Sequence, residues 1–213
     1  MLGIHSELAD QFEDLSSQRD AGTLGMWVFL STEIMFFGVV FAAYTIFRIF
    51  HAEGFAEGSK LLELPLGAIN TAVLLTSSLT MALAVHSGQT GKKTLTALFL
   101  LITMLLGLTF LGIKFTEYAH KFEEHLYPGS GFHFAGTHAA DIRLFLWIYF
   151  TLTALHALHM SIGIGMLAIL IVKTLQGKYS EGYYSPLEFG GLYWHFIDIV
   201  WIFLFPLLYL IVK

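Results

Sequence analysis

The stretch that decides the fold is LYWHFIDIVWIFLFPLLYLIV, residues 192–212. A transmembrane helix needs about 20 predominantly apolar residues, so this stretch can cross a bilayer. His195 and Asp198 nevertheless lie within it. Ionisable side chains are costly in hydrocarbon and usually face other protein groups rather than lipid. The stretch therefore predicts a membrane helix that packs inside a bundle of other helices.

The composition of the whole chain fits this prediction. Of its 213 residues, 56% are hydrophobic and only 13% are charged, whereas a soluble domain has about 25% charged residues. Cysteine is absent, which excludes disulfides and thiolate metal sites. A net charge of −5 offers no basic surface, so we expect no nucleic-acid partner. We predict an all-α, polytopic integral membrane protein.

Five segments have the length and apolar content of transmembrane helices. The predicted spans are about 24–47, 66–85, 95–113, 144–172 and 192–212, forming a single transmembrane domain over residues 24–213. Residues 1–23 are acidic and lack the basic start and short apolar core of a signal peptide, so we expect a soluble tail. Pro206 is expected to kink the last span. Lysine and arginine number five on one side and six on the other, which does not orient the chain.

The connection after the third span carries charged residues at helical spacing. Glu117 and Lys121 are four residues apart, which predicts that the third helix continues beyond the bilayer. Glu117 and His120 resemble half of a di-iron carboxylate site, but such a site needs a second Glu-x-x-His motif, and the chain has none. Further along, His133 and His138 lie near Asp141 and could bind a cation, although a solvated loop is the favoured interpretation.

The first span contains Glu33 in the sequence STEIMFFGVVFAAY, residues 31–44. At about 100° per residue, Glu33 shares one helix face with Phe36, Phe37, Val40 and Tyr44. Two interpretations stay open. Glu33 is either a proton-exchanging group or a neutral acid that is hydrogen bonded to a neighbouring helix, and the second is favoured.

The fourth span carries polar and small residues on opposite faces. His156, His159 and Gly163 share one face. The opposite face has small residues, which let another helix approach closely; they are Ala154, Ala157, Ser161 and Gly165. We therefore expect two protein-facing sides on this helix.

Histidines in the fourth and fifth spans raise the alternative of a haem. His156 or His159 could pair with His195 as axial ligands, as in a bis-histidine membrane electron carrier. Hydrogen-bonded structural histidines are the favoured interpretation. Asp198 has His195 as a candidate partner three residues earlier in the same helix.

The remaining polar candidates look structural. The fifth span places Trp194, His195, Asp198 and Trp201 on one face, which predicts burial against other helices. In the second span, Asn70 is expected to join helices through hydrogen bonds. These residues make no complete metal set, nucleophile–base pair or phosphate loop.

These stretches resemble subunit III of the haem–copper terminal oxidases, in particular cytochrome c oxidase subunit III. Five of them match in order: GMWVFLSTEIMFFGVVFAAY, LPLGAINTAVLLTSSLTMALAVHS, GIKFTEYAH, FTLTALHALHMSIG and GGLYWHFIDIVWIFLFPLLYL. Glu33 corresponds to the family's intramembrane glutamate, and Asn70 to the Asn-Thr pair of the next helix. Trp194, His195, Asp198 and Trp201 match the last helix in register.

The resemblance implies a subunit without redox centres, active in aerobic respiration and the electron transport chain. Haem and copper are expected in partner subunits I and II, where oxygen is reduced and protons are translocated. The chain itself would bind no cofactor, pack on subunit I, hold phospholipid, and support proton uptake and turnover stability. The implied location is the bacterial plasma (inner) membrane, with a cytoplasmic N-terminus and a periplasmic C-terminus.

The resemblance leaves several alternatives open. Many family members have seven spans, with the first two flanking a lipid-filled cleft, and this chain lacks those two spans unless a partner supplies them. Cytochrome c is the predicted electron donor, since similar quinol oxidase subunits more often have aspartate at the position of Glu33. A nitric oxide reductase accessory protein and a proton-linked transporter using Glu33 and Asp198 are further candidates. Internal repeats, typical of many transporters, are not visible in the sequence.

Overall fold

Six α-helices make up the chain in a computed structural model that describes residues 11–12, 14–129, 132, 134, 136–179 and 183–211. They are α1 (Leu15–Phe50), α2 (Ala52–Lys60), α3 (Leu64–Gln89), α4 (Lys93–Glu123), α5 (Ala139–Leu175) and α6 (Ser185–Tyr209). All except α2 are long and apolar enough to cross a membrane. The prediction of an all-α bundle of five transmembrane helices is confirmed.

Each long helix extends beyond the span predicted for it, and α1 and α4 do so furthest. Helix α1 begins at Leu15 instead of residue 24. Its N-cap is Asp14, whose carboxylate accepts a hydrogen bond from the Ser17 backbone N–H at 2.7 Å. This bond lowers the pKa of Asp14 and satisfies a helix-end donor. Helix α4 continues to Glu123, as the charge spacing predicted.

Helix α2 was not predicted. It packs against α5 through two glycines, Gly54 and Gly58, which lie one turn apart. A Cβ atom on Gly54 would lie 2.2 Å from the Asp141 Cβ, and one on Gly58 would lie 2.5 Å from the Phe145 Cδ1, so larger residues do not fit. Between the glycines, the Phe55 side chain is fully buried. A helix this short lacks the long apolar pattern by which the spans were recognised.

The helix ends define two sides of the bundle. The first side carries the starts of α1, α4 and α6 and the ends of α3 and α5. The second side carries the opposite ends and α2. Helix α6 is central, since it contacts α1, α3 and α5. Pro206 lies within it, close to its end at Tyr209, and residues 212–213 lie outside the described part of the chain.

Helix α1 is attached to the bundle along one narrow stripe. Its buried residues are Leu30, Phe37 and Tyr44, spaced seven apart. The Tyr44 hydroxyl donates to the backbone carbonyl of Leu207 in α6. Large apolar side chains on the other faces of α1 are exposed, Met35 to 71%. This helix therefore offers most of its surface to lipid or to another protein.

Candidate functional site: polar side chains inside the bundle

Glu33 of α1 meets His159 of α5 in the membrane interior. The Glu33 Oε2 atom is 3.1 Å from His159 Nε2, and His159 Nδ1 is 2.8 Å from the backbone oxygen of Leu155. A carbonyl oxygen only accepts, so Nδ1 carries a hydrogen. The contact between His159 Nε2 and the Glu33 carboxyl is a hydrogen bond when one of these two groups carries a proton. Glu33 and His159 thus share a single proton, as an acid with a neutral imidazole or as an ion pair.

This pair lies at the rim of the bundle. The Glu33 and His159 side chains are 19% and 13% exposed. The Phe37 ring packs 5.1 Å from the imidazole, and the half-exposed Phe36 ring also faces it. An ionisable pair is costly beside hydrocarbon. The Glu33–His159 pair is therefore more stable where another protein packs over it than where lipid does.

Asp198 of α6 is buried, but the partner predicted for it is wrong. His195 turns instead to α3, where its Nδ1 atom lies 2.7 Å from the Ser78 hydroxyl. Ser78 also lies beside the Asp198 carboxyl. Within the described residues, however, neither Asp198 oxygen has a hydrogen bond of good geometry. The Ser78 hydroxyl is therefore bonded to His195 and lies next to Asp198 without a well-formed hydrogen bond to it.

His156 and Asn70 form a second incompletely bonded region. His156 is 1% exposed, and neither ring nitrogen has a partner among the described residues. Its ring packs 5.3 Å from Phe110 and 5.2 Å from Trp201. The Asn70 amide donates to the Phe110 carbonyl at 3.4 Å, while its Oδ1 atom has no partner in the described residues.

The two tryptophans join α6 to α3. Trp194 Nε1 donates to the Ser77 hydroxyl at 3.1 Å, and Trp201 Nε1 donates to the Thr71 hydroxyl at 3.0 Å. Both indoles are fully buried. Close packing requires Gly107, since a Cβ there would lie 2.8 Å from the Trp194 ring. These positions hold the bundle together.

Three histidines of the spans have different environments. His156 lies against aromatic rings, His159 faces Glu33, and His195 faces Ser78. Among the described contacts, none joins two of these histidines. Nor do the described residues contain three histidine or acidic side chains grouped to hold a metal.

The face of α5 that carries small residues is not covered by the described part of this chain. Ala154, Ser161 and Gly165 are exposed, and Ala157 is partly so. The opposite face, with His156 and Gly163, is buried as expected. A second protein-facing side on α5 therefore requires a partner.

Sequence reasoning missed a buried ionic cluster near the second side. Lys114 and Glu117 of α4 are 4% and 0% exposed, and Lys114 Nζ donates to Glu117 Oε2 at 2.8 Å. The hydroxyls of Tyr149 and Tyr209 donate to Glu117 Oε1 at 2.9 and 2.5 Å. Lys114 also lies 4.7 Å from the Trp201 ring centre. The third span was predicted to end at residue 113 because charged residues follow it, but Lys114 and Glu117 lie inside the bundle. Their separation of three residues, which allows an ion pair on one helix face, was the signal in the sequence.

The loop residues proposed for a cation are only partly described. His133 lies outside the described residues. His138 and Asp141 lie at the start of α5, where His138 Nε2 pairs with Glu53 at 3.2 Å. His51 Nδ1 pairs with Asp141 at 2.8 Å.

A cleft of about 470 Å³ opens on the first side between α1, α3 and α6. Arg19 and Glu188 line its mouth and pair at 3.7 Å. His195 also lines it. The cleft therefore leads from the surface to the His195–Ser78–Asp198 group.

These features define a polytopic membrane protein with proton-bearing side chains in a packed helical interior. A family model described as cytochrome c oxidase subunit III matches residues 13–212. The chain belongs to this family and is a subunit III of a haem–copper terminal oxidase, a complex that reduces oxygen.

Relatives match over nearly the whole chain. The cytochrome bo(3) ubiquinol oxidase subunit 3 of Pseudomonas aeruginosa is 32% identical over 213 residues, covering 97% of this chain and 96% of the relative. Probable quinol oxidase subunits 3 are also similar. That of Staphylococcus aureus is 35% identical over 197 residues, with 91% and 90% coverage. That of Staphylococcus haemolyticus is 33% identical over 190 residues, with 88% coverage of both chains.

Proposed function

We propose that this chain is the non-redox subunit that packs on subunit I in a bacterial terminal oxidase, a complex whose other large partner is subunit II. Haem and copper are held by those partners, and this chain supports proton uptake and turnover stability and retains phospholipid. It lies in the plasma (inner) membrane with its N-terminus cytoplasmic and its C-terminus periplasmic. The first side, with the cleft, then faces the cytoplasm.

The observation that carries this proposal is the Glu33–His159 pair at the rim of the bundle. It lies on α1, a helix whose buried residues in the described part of the chain are the stripe of Leu30, Phe37 and Tyr44. A polar pair at this depth is most stable when protein covers it. A large membrane-embedded partner subunit supplies such a cover.

The cleft supports the role in proton uptake. In the proposed orientation it opens on the side from which protons are taken up. His195, at its inner part, contacts the Ser78 hydroxyl, which lies beside the Asp198 carboxyl. These groups can each hold or pass a proton. We assign Asp198 a proton-related role, and Glu33, Asn70, Trp194 and Trp201 structural ones.

Two electron donors remain candidates for the complex. Cytochrome c is favoured by the resemblance at Glu33 and by the description of the family model. Quinol is favoured by the names of relatives that are 32–35% identical across most of the chain. Subunit III does not contact the donor in this proposal, so both candidates leave its role unchanged.

The test is affinity purification of the tagged chain in mild detergent, followed by optical spectroscopy and oxygen consumption. We expect large haem-containing subunits to copurify and oxygen to be consumed with reduced cytochrome c. Oxygen consumption with quinol alone would identify quinol as the electron donor and leave the proposed role of this chain unchanged. Haem bound to the isolated chain, or a chain purified from respiring membranes without haem subunits, would contradict the proposal.

A further inference from the structure

The cleft between α1, α3 and α6 has opposite charges at its mouth. Arg19 Nη2 of α1 lies 3.7 Å from Glu188 Oε2 of α6, which is longer than a hydrogen bond. The Arg19 guanidinium also lies 5.6 Å from the centre of the Tyr184 ring, and Glu188 Oε1 accepts a hydrogen bond from Gln89 Nε2 of α3 at 3.1 Å. Arginine has several N–H donors, and a carboxylate accepts several bonds. The mouth therefore presents a positive and a negative group side by side, each with capacity for a ligand.

Below the mouth, the walls of the cleft are largely apolar. They include Phe189 and Leu192 of α6 and Ala82 and Val85 of α3. Phe189 packs closely on α1, where a Cβ atom on Gly22 would lie 2.7 Å from its ring. Concave sites that are apolar, with a few polar groups at fixed positions, are typical of ligand pockets. This cleft, with a charged mouth and an apolar body, therefore suits an amphipathic ligand.

The polar mouth and the apolar body follow the layers of a bilayer. Arg19 precedes the apolar part of α1, which begins at Leu24, and arginine can extend its guanidinium to the head-group layer. Leu192 comes four residues after Glu188, about 6 Å further along α6. The mouth thus lies at the level of lipid head groups and the body at the level of acyl chains. A membrane lipid that stands upright in the bilayer matches this order.

The two charges select among lipid head groups. We propose that the cleft binds one phospholipid with a zwitterionic, ammonium-bearing head group, of the phosphatidylethanolamine class. Its phosphate accepts hydrogen bonds from Arg19, and its primary ammonium donates to Glu188, so both contacts are charge-assisted. Phosphatidylglycerol has the phosphate but no cation for Glu188. Phosphatidylcholine has a cation without an N–H to donate.

This lipid site is separate from the Glu33–His159 pair. Glu33 faces α5, whereas the cleft lies between α1, α3 and α6. The site is formed by helices of this chain alone, unlike the lipid-filled cleft that the first two spans flank in longer family members. It gives the phospholipid retention of the proposed function a place and a head group, and in this sense it rests on that function. With the lipid chains along Phe189 and Leu192, the α3 wall beside His86 stays open to water, so lipid and proton uptake can share the cleft.

Native mass spectrometry of the purified, delipidated complex tests this site. The complex is titrated in mild detergent with phosphatidylethanolamine, phosphatidylglycerol or phosphatidylcholine of identical acyl chains. We expect one phosphatidylethanolamine per chain to bind about two- to fivefold more tightly than the other two lipids, the range that a partly exposed ion pair supports. Glycerophosphoethanolamine, which has the head group without the chains, should not compete at equal concentration. Equal binding of the three lipids, or full competition by the head group alone, would overturn the proposal.

Two variants test the charges at the mouth. Glu188→Gln removes the negative charge and is expected to abolish the preference for phosphatidylethanolamine over phosphatidylglycerol. Arg19→Gln removes the partner of the phosphate and should weaken the binding of both lipids about two- to fivefold. Arg143→Gln is the control and should bind as the wild type, because it removes an exposed arginine near the start of α5, on the second side. A preference that survives in Glu188→Gln would contradict the proposed contact with the ammonium.

A third variant tests the apolar body and does not depend on charge. Ala82 is exposed on the cleft wall, so Ala82→Phe places a ring in the space for the lipid chains. We expect binding to weaken at least about tenfold, since roughly two methylene groups lose their contact. Ala72→Phe, at an exposed position on α3 outside the cleft, is the matched control and should bind as the wild type.

The outcomes separate the lipid site from the proposed function. Unchanged lipid binding in Ala82→Phe would count against the site, whatever the complex does. A chain that purifies without haem subunits would contradict only the proposed function, because the same titration can be carried out on the full chain alone.

Discussion

Two polar regions are buried in the same bundle, and only one has its hydrogen bonds complete. Around Glu117, the carboxylate accepts bonds from Lys114, Tyr149 and Tyr209, and Lys114 has acceptors for its charge. Around α6, by contrast, Asp198 has no well-formed bond within the described residues. The first region resembles a structural joint between α4, α5 and α6.

The difference indicates where function is best sought. A complete buried network stabilises one arrangement of helices, whereas unpartnered buried polar groups carry a cost in folding. Such costs are typical of functional positions, above all within membranes. Asp198 and His156 therefore deserve functional tests, and Lys114 deserves a stability test.

Lys114→Met should have the largest effect. It leaves the Glu117 charge buried without its cation, and breaking such a pair costs about 3–5 kcal/mol. We expect loss of assembled complex, measured as the yield of purified subunit and the thermal midpoint of its unfolding. The double variant Lys114→Met/Glu117→Leu removes both charges and should recover much of the yield.

The control for this change is Lys93→Met, at the exposed start of α4. It removes a lysine without touching a buried partner and should leave yield and midpoint unchanged. If Lys114→Met assembled as well as this control, the cluster around Glu117 would not be a structural joint.

Substitutions of Glu33 should weaken assembly less than Lys114→Met does, and the size of the effect should depend on the new residue. Glu33→Leu leaves His159 Nε2 without its partner, which costs about 1–3 kcal/mol for a buried group. Glu33→Gln keeps an N–H that can donate to His159 Nε2. We expect near-normal assembly and activity for the glutamine variant and weaker assembly for the leucine variant.

Proton uptake measurements on the assembled complex distinguish the two roles of Glu33. Normal uptake in Glu33→Gln would agree with a hydrogen-bonding role. A large loss of uptake in an intact complex would show that Glu33 exchanges its proton.

Asp198→Asn should have the smallest effect on assembly. The sequence suggested His195 as a candidate partner of Asp198, but the structure shows no hydrogen bond to the carboxyl within the described residues. We expect a yield within about twofold of wild type and reduced turnover, because the amide cannot take up and release a proton as the carboxyl can. Low yield with normal turnover of the remaining complex would restore the structural interpretation.

Parts of the fold and site differ in how well the sequence predicts them. The five spans follow from local apolar length, which is why they were found. Helix α2 was missed because its docking depends on Gly54 and Gly58 meeting α5, a contact distant in sequence. Lys114 and Glu117 were placed outside the bundle because charge alone does not reveal that Tyr149 and Tyr209 lie nearby. The predicted pairing of Asp198 with His195 was wrong for the same reason, because His195 contacts Ser78 of another helix, which is distant in sequence.

By itself, the sequence determined a five-helix membrane protein with ionisable groups in its interior and a family resemblance that the comparisons confirmed. The physical reason is that membrane insertion depends on hydropathy summed along each segment. Only the tertiary structure decided which of those groups are partnered. Hydrogen bonds depend on distances of a few tenths of an ångström between helices far apart in the chain, and no local pattern encodes them.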